Sequence, residues 1–461
     1  MYFKKITLLF FLIFAATGFS QTLSLKEAIK TGLENYGSIK AKSNYSKASR
    51  ETLKQSRRDY LPNLNLSAQQ DYGTVNGQNG PLYGFGGLGV ASSGLPLPEQ
   101  NWNSAFGALY LVNMNWDFFT FGKIQEKVNL AKIDVQSREN DLQQEKFQQE
   151  IKIAAAYLNL LASQRLLISQ RKNLDRANVF KRTATARVKS GLLAGVDSTL
   201  ASAEVSKAKM ALNLAKNFVK EQNNKLVDLM GVAPQDFLTD TLFVNQIPKA
   251  IVVANKASDS LHPLLQFYKT KIDYSNQQVK LYKRFYYPTM SAFGVLQTRA
   301  SGFDSSYAID QTAFNRNYWE GVHPDRSNYL IGVGITWNLT TPFRMSKQVS
   351  AQKFVSQALQ EEYNQADREL KSQLNFAEDK IKITLENYAE APVQVNAAAQ
   401  AYVQKSTLYK NGLTTLTDLT QTLFILNRAE IDRDIVNNNV WQSFLLKVAA
   451  IGNFDLFINE F

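Results

Sequence analysis

Residues 189–199 read KSGLLAGVDST, and 221 positions later residues 410–420 read KNGLTTLTDLT. Each copy places a glycine, Gly191 or Gly412, a leucine directly after it, Leu192 or Leu413, and an aspartate six residues beyond the glycine, Asp197 or Asp418. The first copy closes a stretch, 123–190, that contains neither glycine nor proline, and the second closes a glycine-free stretch, 335–411. At about 1.5 Å per residue a helix over 123–190 would reach roughly 100 Å, too long for the interior of a compact domain. Ile153, Leu160, Leu167 and Leu174 recur seven apart, the spacing that keeps an apolar seam against a partner in a left-handed supercoil. Residues 196–230 then give a return helix, stopped by Gly231 and Pro234. Each quoted stretch is therefore the turn of a long helical hairpin.

The offset extends well beyond the turns. Trp116 and Trp337, Lys123 and Arg344, and Gly231 and Gly452 also stand 221 apart, while Tyr60-Leu61-Pro62 and Tyr286-Tyr287-Pro288 stand 226 apart. The chain reads as a structural duplication, a first repeat over 21–240 and a second over 241–461, each running helix, strand, loop, strand, very long helix, turn, helix. Ser24-Leu25-Lys26-Glu27 fits a capping box and opens the first helix, which can run to Asp59, interrupted at most by Gly32 and Gly37. The hairpins fall at 123–230 and 343–451.

Strands are expected at about 61–73, 104–118, 287–299 and 328–340. In the first, Leu64, Leu66, Ala68 and Tyr72 alternate with Asn63, Asn65, Ser67, Gln69 and Asp71. Phe106, Ala108, Tyr110, Val112, Met114 and Trp116 alternate likewise, as do Tyr329, Ile331, Val333, Ile335, Trp337 and Leu339. One face of each strand is apolar and the other wet, and each segment is about as long as a tilted membrane strand. Residues 73–102 and 299–327, rich in Gly, Asn and Ser, connect the strands as long loops.

Met1 to Ser20 reads as a secretory signal peptide, with Lys4 and Lys5, an apolar run from Ile6 to Ala16, and small residues at Gly18 and Ser20. The mature chain is then expected to begin near Gln21, and no later segment approaches the run a membrane helix needs. The absence of cysteine excludes disulfides, thiolate metal sites and a lipidated cysteine at the cleavage site. The net charge of +12 becomes +10 without Lys4 and Lys5, and the remaining cations are spread along helix faces, which excludes nucleic acid as a partner. Any membrane role falls to the strands. Four strands cannot close a barrel, and an open edge in lipid leaves amides unpaired, so copies must associate: two give eight strands, three give twelve.

The order of these elements resembles the TolC-like outer-membrane efflux family over the whole mature chain. The resemblance rests on the opening LSLKEAI, the strand entries YLPNLNLSA and YYPTMSAFG, the joints NWDFFTFGK and TWNLTTPFR, and the turns SGLLAGVD and NGLTTLTD. It implies a mainly α chain with membrane β, a homotrimer forming a twelve-stranded β-barrel continued by a long α-helical barrel. It also implies contact with outer-membrane lipid, a periplasmic adaptor protein and an inner-membrane transporter; the residues themselves offer no catalytic constellation, so neither an enzymatic activity nor a cofactor is expected. By the same resemblance Asp197 and Asp418 would line the periplasmic entrance, Tyr409 would help latch it, and Gly191, Leu192, Gly412 and Leu413 would be the turns an adaptor contacts. The family pattern is incomplete here, since a further acid is replaced by Gln421 and an arginine two after the second glycine by Thr414.

Plainer readings stand beside these. Asp197 and Asp418 can serve as helix caps, the turn glycines simply allow the chain to reverse, and the heptad leucines pack. Gly84-Phe85-Gly86-Gly87-Leu88-Gly89 matches GxGxxG but opens no helix, so a flexible external loop accounts for it better than a dinucleotide site. His262 and His323 are the only histidines, and neither has a ligand set or a catalytic partner pattern. A periplasmic coiled-coil adaptor or scaffold without a barrel, and an exported enzyme with helical arms, are the alternative functions.

Overall fold

The computed structural model describes residues 22–77, 82–85, 88–91, 95–192, 194–240, 242–251 and 262–460. The signal segment 1–20 and two residues of the glycine-rich motif, Gly86 and Gly87, lie outside the described residues. Residues 22–240 hold β1 (Thr22–Leu23), α1 (Leu25–Asn35), α2 (Gly37–Arg58), β2 (Asn63–Thr74), β3 (Leu82–Phe85), β4 (Leu88–Ala91), β5 (Ser104–Phe119), α3 (Lys123–Lys189), α4 (Gly195–Met230) and β6 (Leu238–Thr239). The remainder holds α5 (Leu242–Asn245), α6 (Pro263–Arg284), β7 (Thr289–Ser301), α7 (Tyr318–Val322), β8 (Arg326–Thr336), α8 (Thr341–Lys410), α9 (Leu416–Ile451) and α10 (Asp455–Ile458). The two repeats are not the two compact units. One unit comprises Met1–Lys47, Gln136–Lys271 and Ala358–Phe461, the other Ala48–Val135 and Ile272–Gln357.

The second unit contains an antiparallel sheet in the order β2-β5-β7-β8. Leu64, Met114, Gly294 and Ile331 are successive partners across it, as are Leu66, Val112, Leu296 and Tyr329. The adjacent rows, Asn65, Asn113, Val295 and Leu330, then Ser67, Leu111, Gln297 and Asn328, point to the other face. The sequence alternation thus becomes one largely apolar face and one more polar face. Leu66 and Tyr329 are each 80% exposed and Ile331 79%, so the apolar face is uncovered in the single chain. Among the described residues β2 pairs only with β5 and β8 only with β7, leaving both outer edges without a strand partner.

β8 ends at Thr336, so Trp337 and Leu339 fall beyond the strand expected over 328–340. The reason is local: the Asn338 side chain accepts from the amides of Thr340 and Thr341, at 3.1 and 3.2 Å, and turns the chain into α8. One contact repeats at both joints. Trp116 Nε1 donates to the Tyr60 carbonyl at 2.8 Å, and Trp337 Nε1 donates to the Tyr286 carbonyl at 3.1 Å. The expected loops hold structure of their own, α7 in one and the β3/β4 hairpin in the other, where Gly84 pairs with Gly89.

The first unit is built around α3. Ile153, Ala154, Tyr157, Leu158 and Leu160 are fully buried with Leu226, Val440, Val448 and Phe457. By length and composition α3 is able to cross a membrane, contrary to the expectation that no segment approaches this, and 39% of its most apolar stretch is buried within the structure. The Tyr157 hydroxyl donates to the Leu23 carbonyl at 2.7 Å and accepts from the Asp240 amide at 3.1 Å, next to the parallel pair of β1 and β6. Ser24 caps α1 through its hydroxyl, 3.3 Å from the Glu27 amide. Gly32 does not break that helix: a Cβ there would collide with Ile153, so the glycine serves close packing and the break falls at Tyr36. Gly231 and Gly452 end α4 and α9 in the left-handed conformation, φ 64° and 82°. α8 carries Pro392 within it, which α3 lacks.

Candidate functional site at the hairpin turns

The two turns share one backbone geometry. Gly191 has φ 75° and Gly412 φ 77°. The Gly191 amide donates to the Val188 carbonyl at 3.0 Å and the Leu192 amide to Arg187 at 2.9 Å. In the second turn Gly412 donates to Tyr409 at 3.0 Å and Leu413 to Leu408 at 2.9 Å. These paired bonds satisfy the last carbonyls of α3 and α8 and require a residue at positive φ. The glycines are thus explained by the chain reversal. Leu192 and Leu413, 66% and 72% exposed, present apolar side chains to solvent at both tips.

The aspartates are not the caps they were expected to be. Ala194 occupies the cap position of α4 without a side-chain bond, and Asp197 stands in the first turn. Thr415 caps α9, its hydroxyl accepting from the Asp418 amide at 3.2 Å. The Asp418 carboxylate accepts from the Thr414 hydroxyl at 2.8 Å and lies 3.8 Å from Lys405 Nζ. The hydrogen bonds from Thr414 and Thr415, assisted by Lys405, hold its carboxyl below the usual carboxylate range. Asp418 is therefore a half-buried, ionised side chain where negative charge also suits the helix dipole.

Tyr409 is buried, in a cluster with Phe180, Ala184, Ala201, Leu416 and Leu419 drawn from both hairpins. Arg187, in the last turn of α3, donates through Nη1 to the Tyr409 carbonyl, and its guanidinium lies 5.3 Å from the centre of the Tyr409 ring. A Cβ on Gly412 would stand 3.2 Å from Arg187 Nη2, so that glycine also leaves room for the arginine. The Tyr409 hydroxyl is buried with no hydrogen-bond partner among the described residues. Burial pushes its pKa up; the cation of Arg187 opposes this and the nearby Asp197 carboxylate adds to it. Arg187, Tyr409, Gly412 and Asp197 are thus brought together, while Asp418 is held by Thr414 and Lys405.

Sequence reading missed Arg187. Its counterpart in the second repeat is Leu408, so the duplication gives no hint of it, and a basic residue ending a helix is ordinarily credited to the dipole. Further along the hairpins Arg176 grips Glu430 with both terminal nitrogens, at 2.8 and 2.6 Å, joining α3 to α9. His262 is a structural residue: Nδ1 accepts from the Leu264 amide at 3.1 Å and Nε2 lies 3.0 Å from the Ala449 carbonyl. Among the described residues no group of three or more His, Asp or Glu side chains is placed to hold a metal.

Comparison with known proteins agrees with this architecture. The family model described as "Outer membrane efflux protein" matches residues 28–232. The outer membrane efflux protein BepC of Brucella suis biovar 1 (strain 1330) is 24% identical over 330 residues, covering 70% of this chain and 68% of BepC. The outer membrane protein VceC of Vibrio cholerae is similar in structure, with a TM-score of 0.70 at 17% identity over 93% of this chain and 96% of VceC. The CmeC outer membrane channel of Campylobacter jejuni gives 0.70 at 15% identity over 93% of this chain and 85% of CmeC. Over residues 28–232 the chain thus matches the outer membrane efflux protein family model, and over 93% of its length it shares the fold of VceC and CmeC.

Proposed function

We propose that three copies of the chain join their four-stranded sheets into a twelve-stranded barrel and that their long hairpins continue as a helical tunnel across the periplasm. The protein is then the exit duct of a tripartite efflux or type I secretion system, receiving cargo from an inner-membrane pump through a periplasmic adaptor. The observation that carries this reading is the two-faced sheet with two open edges, β2 and β8, and an uncovered apolar face. In lipid each unpaired edge amide costs several kcal/mol, which closure by neighbouring copies removes, and the apolar face meets the acyl chains. A scaffold without a barrel would leave that apolar face in water.

In this reading the hairpin turns form the entrance. Gly191, Leu192, Gly412 and Leu413 are the surfaces for the adaptor, the exposed leucines supplying apolar contacts between turns of fixed shape. Asp197 and Asp418, repeated around a threefold axis, make an acidic mouth that favours cations, and Tyr409 with Arg187 holds the two hairpins of one chain together. The test is fractionation followed by affinity purification from cells. The protein should sediment with outer membranes, require detergent, and bring down an adaptor and an inner-membrane transporter; recovery as a detergent-free periplasmic protein would overturn the reading.

A further inference from the structure

The duplication carries a second pattern, at the end of the sheet where the helices leave it. Arg57 and Arg58 close the last turn of α2, and Lys283 and Arg284 close the last turn of α6, at the 226-residue offset that relates Tyr60 to Tyr286. Lys123 opens α3 and Arg344 lies in the first turn of α8, at the offset that relates Trp116 to Trp337. The strand register, with Asn63 opposite Asn115, Phe119 opposite Met290 and Thr289 opposite Thr336, gathers these segments at one end. Each repeat therefore sets aromatic rings at the sheet boundary and cations directly behind them.

The helix dipole suits Arg57, Arg58, Lys283 and Arg284 in their last turns, but it does not account for the other two cations, of which Lys123 lies 5.6 Å from the centre of the Phe285 ring. Lys123 and Arg344 sit at helix N-termini, where positive charge opposes the dipole. The nearby carboxylates are already engaged: Asp59 by Lys127 at 2.6 Å, Glu126 by Gln277 at 2.5 Å and Arg284 at 3.3 Å, and Asp117 by the Ser291 hydroxyl at 2.6 Å. Among the described residues Arg57, Arg58, Lys283 and Arg344 are exposed and lack an acidic partner. Tyr60, Trp116 and Trp337 keep exposed ring surface although each indole N–H is satisfied by backbone, the arrangement of side chains that anchor at a lipid interface.

We propose that this duplicated collar binds the headgroups of anionic phospholipids, such as phosphatidylglycerol or cardiolipin, in the periplasmic leaflet. The guanidinium and ammonium groups take the phosphates and the rings lie at the level of the acyl esters. The inference rests on the barrel reading, because the helix side of the sheet is the periplasmic side only if the sheet spans the membrane. A cation near an anionic surface changes lipid affinity about fivefold before screening.

The test places the protein in nanodiscs of phosphatidylethanolamine and phosphatidylglycerol and counts retained lipids by native mass spectrometry. The unaltered protein should retain phosphatidylglycerol about tenfold over its share. The variant Arg57→Gln, Arg58→Gln, Lys283→Gln, Arg344→Gln should fall to within about twofold. Lys209→Gln with Lys216→Gln, exposed on α4, should behave as the unaltered protein. If the fourfold variant does not insert, the pairs Arg57→Gln with Arg58→Gln and Lys283→Gln with Arg344→Gln decide, each lowering the preference about threefold. No preference in the unaltered protein, an unchanged preference in the variants, or a preference for lipid A phosphates added in a parallel arm would overturn the proposal. Failure of the unaltered protein to enter a nanodisc would instead defeat the barrel reading.

Discussion

Arg187→Met tests how the two hairpins of one chain are held at their tips. Methionine keeps most of the apolar stem but removes the donors to the Tyr409 carbonyl and the cation against the Tyr409 ring. A hydrogen bond from a charged donor is worth about 1.5–3 kcal/mol, and a cation over an aromatic face about 0.5–2 kcal/mol. Because Arg187 is only half-buried, solvent screening brings the sum to about 2 kcal/mol, a shift of roughly 30-fold in any equilibrium that separates the hairpins. Hydrogen exchange followed by mass spectrometry should show amides of 405–420 exchanging about 30-fold faster. Amides of β2 and β8 should keep their rates. In planar bilayers the variant should open more often or conduct more. Unchanged exchange at 405–420 together with unchanged conductance would refute the claim that Arg187 locks the tip.

Other outcomes follow from the same geometry. Asp418→Asn keeps the Thr415 cap and the size of the side chain while deleting its charge, so single-channel records should show reduced cation selectivity and weaker block by multivalent cations from the periplasmic side, with stability little changed; unchanged selectivity would remove Asp418 from the entrance. Ile331→Arg, in the middle of β8 on the exposed apolar face, should cost about 2–4 kcal/mol of insertion and deplete the protein from the membrane fraction, whereas Asn328→Arg on the opposite face should be tolerated. Glu150 has its pKa raised to about 7 by burial and secondarily by Asp455, with Lys146 opposing. Its raised folded pKa means that its contribution is fully present below the unfolded carboxylate value, near 4.5, and is lost as pH climbs through about 7. Glu150→Gln should therefore melt above the unaltered protein at pH 8, with a smaller difference at pH 5, and equal melting curves at pH 8 would contradict this.

What the sequence disclosed is what the backbone demands locally. Gly191, Gly412, Gly231 and Gly452 all sit at positive φ, so each was visible as a stop at the end of a helical run. The alternation around Leu64 and Ile331 was visible because a two-faced sheet has a period of two. Contacts between distant segments were not visible. Arg187 reaches Tyr409 across 222 positions with no repeat partner, and Gly32 looks like a helix breaker until Ile153 is found against it. The cap of α9 was misplaced because Thr415 and Asp418 both suit a helix start, and only geometry shows which oxygen takes the amide. The interleaving of the repeats into two compact units has no local signature at all.

The central claim, that copies of this chain close one another's sheets, is tested most directly by the mass of the protein extracted from outer membranes in mild detergent. Native mass spectrometry, with lipid and detergent stripped in the gas phase, counts the chains. The account predicts a complex of three mature chains that stays intact until denatured, as twelve paired strands require. A stable, folded monomer would contradict it, since β2 and β8 would then face lipid unpaired.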